Sequence, residues 1–229
     1  MTEDDDGRVV GVWSVPRRGF MNTFHCILGA LPALGIPVVR GHGVFWGQAL
    51  ELAMERAIEG HGAVWLLCLD YDSIFAPEDL HELLRIARSR PEVDALCPHQ
   101  WHRSADVPLW TPKRLPDGSW PEVTDTDLDC ETFALETGHF GMSLLRASAV
   151  ARMPHPWFLP VPNQAGRWAE GKTDDDIYFW DKFRAHGGLV WLAPRVIIGH
   201  AEEEIRWPGA DAKVQRQSFL DYWTNGRRG

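Results

Sequence analysis

Residues 64–69, VWLLCL, form an unbroken apolar run that stops at a carboxylate, an aromatic ring and a second carboxylate, Asp70-Tyr71-Asp72. A run of this length with polar residues at its ends predicts a strand buried on both faces. Asp70 and Asp72, two positions apart, project to the same side of it. Two such carboxylates repel unless a proton or a cation lies between them. They form either a divalent-metal site of oxygen ligands or a cap on the turn after the strand.

The segments before and after decide what surrounds that strand. Arg8 to Val15, RVVGVWSV, is β-branched and stops at Pro16, where a loop containing Arg17 and Arg18 begins. Phe24, Ile27, Leu28 and Leu31 recur at helical spacing, and Ile36 to Arg40 reads as a short strand. Gln48 to Glu59 predicts a helix with Leu50, Ala53, Met54, Ala57 and Ile58 on one side. Pro77-Glu78-Asp79 supplies the first-turn proline and acids of a helix to about Arg88, and Val93 to Cys97 is a fourth strand. Strands alternating with helices imply an α/β fold: a mostly parallel central sheet with helices on both faces. Ligands bind such sheets beyond the carboxyl ends of the strands, where Asp70 and Asp72 stand.

From Pro98 to Asp129 the periodicity disappears in a Pro- and Trp-containing excursion too long for a connector, which reads as a functional loop. Cys130 to Glu136 and His139 to Leu145 predict strands, Ala147 to Met153 a short helix, and Pro154 to Lys172 a second irregular aromatic stretch. Asp174 to His186 predicts a helix with acids in its first turn and Gly187-Gly188 at its end. Two apolar runs, Leu189 to Leu192 and Val196 to Ile198, then lead to Gly199-His200. A polar tail follows, with a helix expected around Val214 to Trp223.

Lys and Arg number 23 and Asp and Glu 32, a net charge of −9, which argues against sequence-independent nucleic-acid binding. Four irregularly spaced cysteines suggest reduced thiols rather than a disulfide framework or a zinc site. No apolar segment has membrane-spanning length and the opening MTEDDDG is acidic, so the expected location is cytoplasmic. Among 12 tryptophans, Trp110, Trp120, Trp157 and Trp168 stand in irregular stretches, where each either packs its loop or contributes to an acceptor platform.

Three distant features remain: Asp70-Tyr71-Asp72, Asp174-Asp175-Asp176 and Gly199-His200. Each has an ordinary explanation, as a turn cap, a helix N-terminus or a structural histidine. Together, in the strings LLCLDYDSIFAPEDL, GHFGMSLLRASAVARM, DDDIYFWDKFRAHGG and VIIGH, they resemble the nucleotide-sugar-dependent glycosyltransferases of the GT-A fold, especially family-2-like enzymes. The resemblance runs through nearly the whole chain. One departure is that the helix opens with Asp175-Asp176 where the family has Glu-Asp.

The resemblance implies a single GT-A (Rossmann-like) domain over 1–229, with irregular aromatic-rich loops over its active-site edge. Its nucleotide-binding part would span about 8–98, its acceptor and catalytic part about 99–200, and its tail 201–229. Asp72 and His200 would bind Mn2+ or Mg2+ together with the donor diphosphate, and Asp70 would contact the ribose or support the metal through water. Asp175 or Asp176 would be the base, kept ionised by the helix N-terminus. Gly138 and Gly141 would let backbone approach the donor sugar or acceptor, with His139 on a hydroxyl or in a structural role. Arg17 and Arg18 would pair with phosphate, stack on the nucleobase, or form a solvated surface pair. The expected reaction is transfer from a UDP-sugar to a hydroxyl of a glycan, a small molecule or a hydroxymethylated DNA base of phage type. The alternatives are a nucleotidyltransferase of similar fold and a non-catalytic nucleotide-sugar or glycan binding module.

Overall fold

The computed structural model describes residues 7–15, 19–102, 107–208 and 214–226. The apolar run becomes β3 (Trp65–Leu69), every residue of which is buried. Its side chains alternate between two cores. Leu66 and Cys68 face one with Val10, Met54 and Phe179, while Trp65, Leu67 and Leu69 face the other with Ile27, Leu80 and Leu83. Burial on both faces is why the strand reads as continuous rather than alternating hydrophobicity.

β1 (Val9–Ser14) pairs in parallel with both β2 (Val38–Gly41) and β3. The connections are α1 (Met21–Ala30) and α2 (Trp46–His61), and α3 (Pro77–Ser89) leads on to β5 (Ala95–His99) after a short β4 (Ser73–Ile74). Asp79 Oδ2 accepts from Ala76 N at 2.8 Å, tying down the start of α3. The eight-stranded sheet has the order β2-β1-β3-β8-β5-β9-β7-β6, completed by β6 (Thr111–Pro112), β7 (Phe133–Thr137), β8 (Ser143–Arg146) and β9 (Val190–Ile197). Only β8 and β7 run against the others. The α/β architecture, the mostly parallel sheet and the helices on both faces are as expected: α2, α5 (Ala147–Ala151) and α6 (Asp175–Ala185) on one face, α1 and α3 on the other.

Several boundaries differ from the sequence reading. The strand expected from His139 begins at Ser143, because residues 138–142 form a loop in which Met142 has φ 53°. β8 pairs Ser143 with Cys68 and Arg146 with Trp65, so it enters the sheet beside the carboxyl end of β3 and sets that loop on the same edge. The runs at 189–192 and 196–198 are one strand, whose register against β5 shifts between Pro98 and His99. The irregular excursion contains α4 (Asp125–Leu128), capped by Thr124. The expected helix from Val214 begins at Phe219. Residues Val214–Ser218 form β12, paired antiparallel with β11 (Glu204–Pro208), and α7 covers Phe219–Asn225 with Ser218 Oγ accepting from Asp221 N.

Candidate functional site

The carboxyl end of β3 is where the distant motifs meet. β4 pairs with β10 (Gly199–His200), aligning His200 with Ser73 and Gly199 with Ile74, and Ala201 N donates to Asp72 O at 2.7 Å. This short ladder closes the sequence gap between Asp72 and His200. Asp72 is 3% exposed, and its Oδ2 lies 3.1 Å from His200 Nε2. His200 Nδ1 lies 3.1 Å from the carbonyl of Trp101, on an arm where Trp101 bridges to Pro108. A nitrogen facing a carbonyl carries the proton, which assigns Nε2 of a neutral ring as an acceptor pointing at a carboxylate oxygen. Two acceptors in that position call for a proton or a cation.

Asp70 is held differently. Its Oδ1 accepts from Ser14 Oγ at 3.1 Å, Trp46 Nε1 at 3.2 Å and its neighbour's backbone at Tyr71 N, 3.0 Å. Oδ2 has no partner among the described residues. Burial, with Asp72 beside it, pushes the Asp70 carboxyl up to about 6 despite those three donors. Sequence reasoning missed Ser14 and Trp46. The only sign of Trp46 was its place at the start of α2 in the string VFWGQ.

The acids of α6 divide by environment. Asp174 is an exposed N-cap residue in an ion pair with Lys172 at 2.6 Å. Asp175 Oδ2 packs against the first turn of α2: a Cβ at Gly47 would stand 2.7 Å from it and 2.7 Å from Phe158 Cβ. Trp46, one residue earlier, donates to Asp70, so α2 links the two acidic stations. Its ring packs edge-on against Phe140 and Phe158, and Phe158 stacks on Phe179 of α6. Asp176 departs from the expectation of a lowered pKa. Burial, then Asp175 and Asp174 nearby, push its carboxyl up, and desolvation outweighs the helix N-terminus.

His139 is buried, with Nε2 donating to Pro98 O at 2.8 Å and Nδ1 accepting from Gly141 N at 3.2 Å. Burial lowers its pKa to about 4. The hydroxyl contact considered for it is therefore corrected: both ring nitrogens are spent on the loop backbone. Gly138 is likewise filled from within, since a Cβ there would strike Cys97 Sγ and the Trp180 ring. Gly141 does face the site, where a Cβ would stand 2.5 Å from both Ser73 Oγ and Gln100 Oε1. Gln100, also missed from sequence, is buried and donates to Gly199 O at 2.9 Å, bracing β10. Ser73 Oγ is buried without a partner among the described residues.

Arg17 and Arg18 lie outside the described residues. Of the four loop tryptophans, Trp110 and Trp157 are buried, which removes them from any platform, whereas Trp120 and Trp168 are exposed. Trp120 is covered by Arg114, 3.9 Å above its ring. All four cysteines are free thiols. Among the described residues no helix is long and apolar enough to cross a membrane. Glu51, Glu55 and His155 also converge, but Glu51 is occupied by His155 Nδ1 at 2.6 Å and by the backbone of Trp157 and Phe158, a clasp holding loop 155–158 on α2.

No family model matches the chain, and no curated protein matches it by sequence. Solved structures match by shape. A197 from STIV aligns with TM-score 0.59 and 16% identity over 92% of this chain and 94% of that one. GalNAc-T7, determined with UDP, GalNAc and Mn2+, aligns with TM-score 0.53 and 12% identity over 86% of this chain, which spans 44% of that protein. The fold is a single Rossmann-like domain of the GT-A type.

Proposed function

We propose that the protein is a metal-dependent glycosyltransferase that moves a sugar from a nucleotide-sugar donor, most simply a UDP-sugar, to an acceptor hydroxyl. The observation that carries this reading is the buried Asp72 carboxylate facing His200 Nε2 at 3.1 Å, with the imidazole oriented by a carbonyl on its other nitrogen. That is the outer-sphere arrangement of metal-ligating histidines. At this separation the two atoms could both serve as ligands of one divalent cation. A carboxylate oxygen and one imidazole suit Mn2+ or Mg2+. When bound, the ion would neutralise charge on the departing nucleoside diphosphate. GalNAc-T7, of related fold, was determined with UDP and Mn2+.

Around that pair, Asp70 offers Oδ2 to the donor's ribose or to metal-bound water, with Ser14 and Trp46 fixing its other oxygen. Asp176 takes the proton of the attacking hydroxyl. Its raised pKa suits it to that role better than an ordinary surface aspartate. Asp175 is set against α2 and keeps α6 in register with Trp46. Residues 8–98 would then hold the donor and 99–200 the acceptor, with Trp168 on the exposed rim. The net charge of −9 favours a glycan or small-molecule acceptor over DNA. The free thiols fit a reducing cytoplasm.

The test is release of nucleoside diphosphate from a panel of nucleotide sugars, with Mn2+ and after chelation, in wild type and Asp72→Ala. Metal-dependent release lost in the variant is the expected result. Absence of metal-dependent release from every donor overturns the reading and leaves a binding module.

A further inference from the structure

The opposite edge of the sheet, where β1 and β3 begin and β8 ends, holds a cavity of about 1060 Å3. Its wall includes Arg8, Arg88 and Arg146, with Leu34, Ile36 and Trp65 supplying apolar surface, and no carboxylate among the described residues that line it. In a chain of net charge −9 that concentration of guanidinium is unusual.

Part of it is structural. Arg146 Nε and Nη2 donate to the carbonyls of Val93 and Pro91, and its guanidinium lies 4.3 Å from the centre of the Trp65 ring. Asp94 stands 3.8 Å from Arg146 but is shared with Arg152 at 3.7 Å. Arg8 Nη1 donates to His61 O at 2.9 Å, closing the end of α2. These bonds do not exhaust the donors. A guanidinium has five N–H groups, Arg8 spends one of them, and Arg88 has no partner among the described residues. Asp94 offsets part of the Arg146 charge, whereas Arg8 and Arg88 form no ion pair among the described residues, so the wall carries positive charge that an anion would neutralise.

We propose that this cavity is a binding site for a phosphorylated small molecule of about nucleotide size, with its phosphates on Arg8, Arg88 and Arg146 and its flat portion against Leu34 and Ile36. Arginine forks match phosphate oxygens, and the volume stands just above the upper end of the usual range of ligand sites, roughly 300–1,000 Å3. The site lies at the far end of β3 from Asp72, so its ligand acts on the fold rather than in the reaction. The proposal does not depend on the glycosyltransferase reading.

Calorimetric titration with inorganic pyrophosphate, and separately with ADP, tests it. The protein is the Asp72→Ala variant without divalent metal, which removes the Asp72–His200 pair from the carboxyl edge. Saturable binding is expected for both probes, tighter for ADP. Arg88→Glu should weaken it by at least about tenfold, the scale of one charge-assisted hydrogen bond. Arg195→Glu, at an exposed pair with Asp129 elsewhere, should leave it unchanged. Because Arg88 has no described partner its substitution should not unfold the chain, and melting temperature in buffer verifies that. No saturable binding, or equal binding by the Arg88→Glu variant, overturns the site. ADP binding no tighter than pyrophosphate overturns its nucleotide size.

Discussion

The two edges of the sheet carry opposite chemistry. At the carboxyl edge stand Asp70, Asp72, Asp175 and Asp176; at the other stand Arg8, Arg88 and Arg146. Topology accounts for much of this. In a mostly parallel sheet the helices that follow the strands begin at the carboxyl edge and end at the other, so unpaired N–H groups gather at one end and unpaired carbonyls at the other. Arg8 on the last carbonyl of α2 and Asp79 at the start of α3 are the expected complements. Buried charge is the part that topology does not require. Asp70, pushed up to about 6, and Asp176, also raised, pay desolvation that a turn or cap would not demand.

If that strain serves a reaction, the largest effects belong to the carboxyl edge. Asp176→Asn should lower kcat by about 10²–10⁴-fold, the usual contribution of a positioned base, with donor affinity little changed. Single-turnover kinetics beside donor titration measures both. A variant retaining wild-type kcat would move the base elsewhere on α6.

Helix α2 runs from one edge to the other, and its terminal glycines separate the two kinds of constraint. Gly47, at the site, has no room: Ala there would meet Asp175 and Phe158, and an overpacking cost of about 1–3 kcal/mol with a fall in activity is expected. Gly62, at the other end, has open space around it but φ +59°. Ala there should cost about 1–2 kcal/mol through backbone conformation and leave activity intact. Chemical denaturation and turnover, measured on both, check the contrast. Equal loss of activity at both ends would mean that α2 acts through stability alone.

Asp70 and His139 share the carboxyl edge but titrate with opposite sign. Asp70, raised from 3.8 to about 6, binds its proton more tightly folded than unfolded, so its contribution to stability falls as pH rises through that window. His139, lowered from 6.5 to about 4, contributes stability that is lost as pH falls from 6.5 to 4. The two nearly cancel in the wild type. Asp70→Asn should therefore show stability rising with pH over this range, and His139→Gln stability falling. Each slope should amount to about 1–3 kcal/mol across the window, read from denaturation midpoints at several pH values. Parallel pH profiles for the two variants would contradict the opposed assignment.

These sites were legible in the sequence to different degrees. β3 announced itself because both its faces are buried, and Asp72 because a strand end is a fixed point. Pairing with His200 depends on a two-residue ladder, β4 with β10, too short to leave any periodicity. Ser14, Trp46 and Gln100 act through single side-chain hydrogen bonds, which follow from tertiary placement and not from spacing. His139 was named for the right loop, but burial decided its chemistry, and burial is a property of what packs around it. The opposite edge gave no motif at all, because its arginines come from three separate segments.

The smallest expected effect isolates position from charge within the acid triplet. Asp174 and Asp176 flank the same helix start, yet Asp174 is exposed and paired with Lys172, while Asp176 is shielded enough for its pKa to rise. Removing an exposed pair usually changes stability by about 0–1 kcal/mol, so Asp174→Asn should leave melting temperature and kcat near wild type. Asp174→Asn also removes one of the charges that raise the Asp176 pKa, so the acid limb of the rate profile should move slightly to lower pH. A pH-rate profile of Asp174→Asn reads that displacement. If the limb stays fixed while turnover collapses, Asp174 itself is the base, and the contrast between the exposed and the half-buried acid on α6 fails.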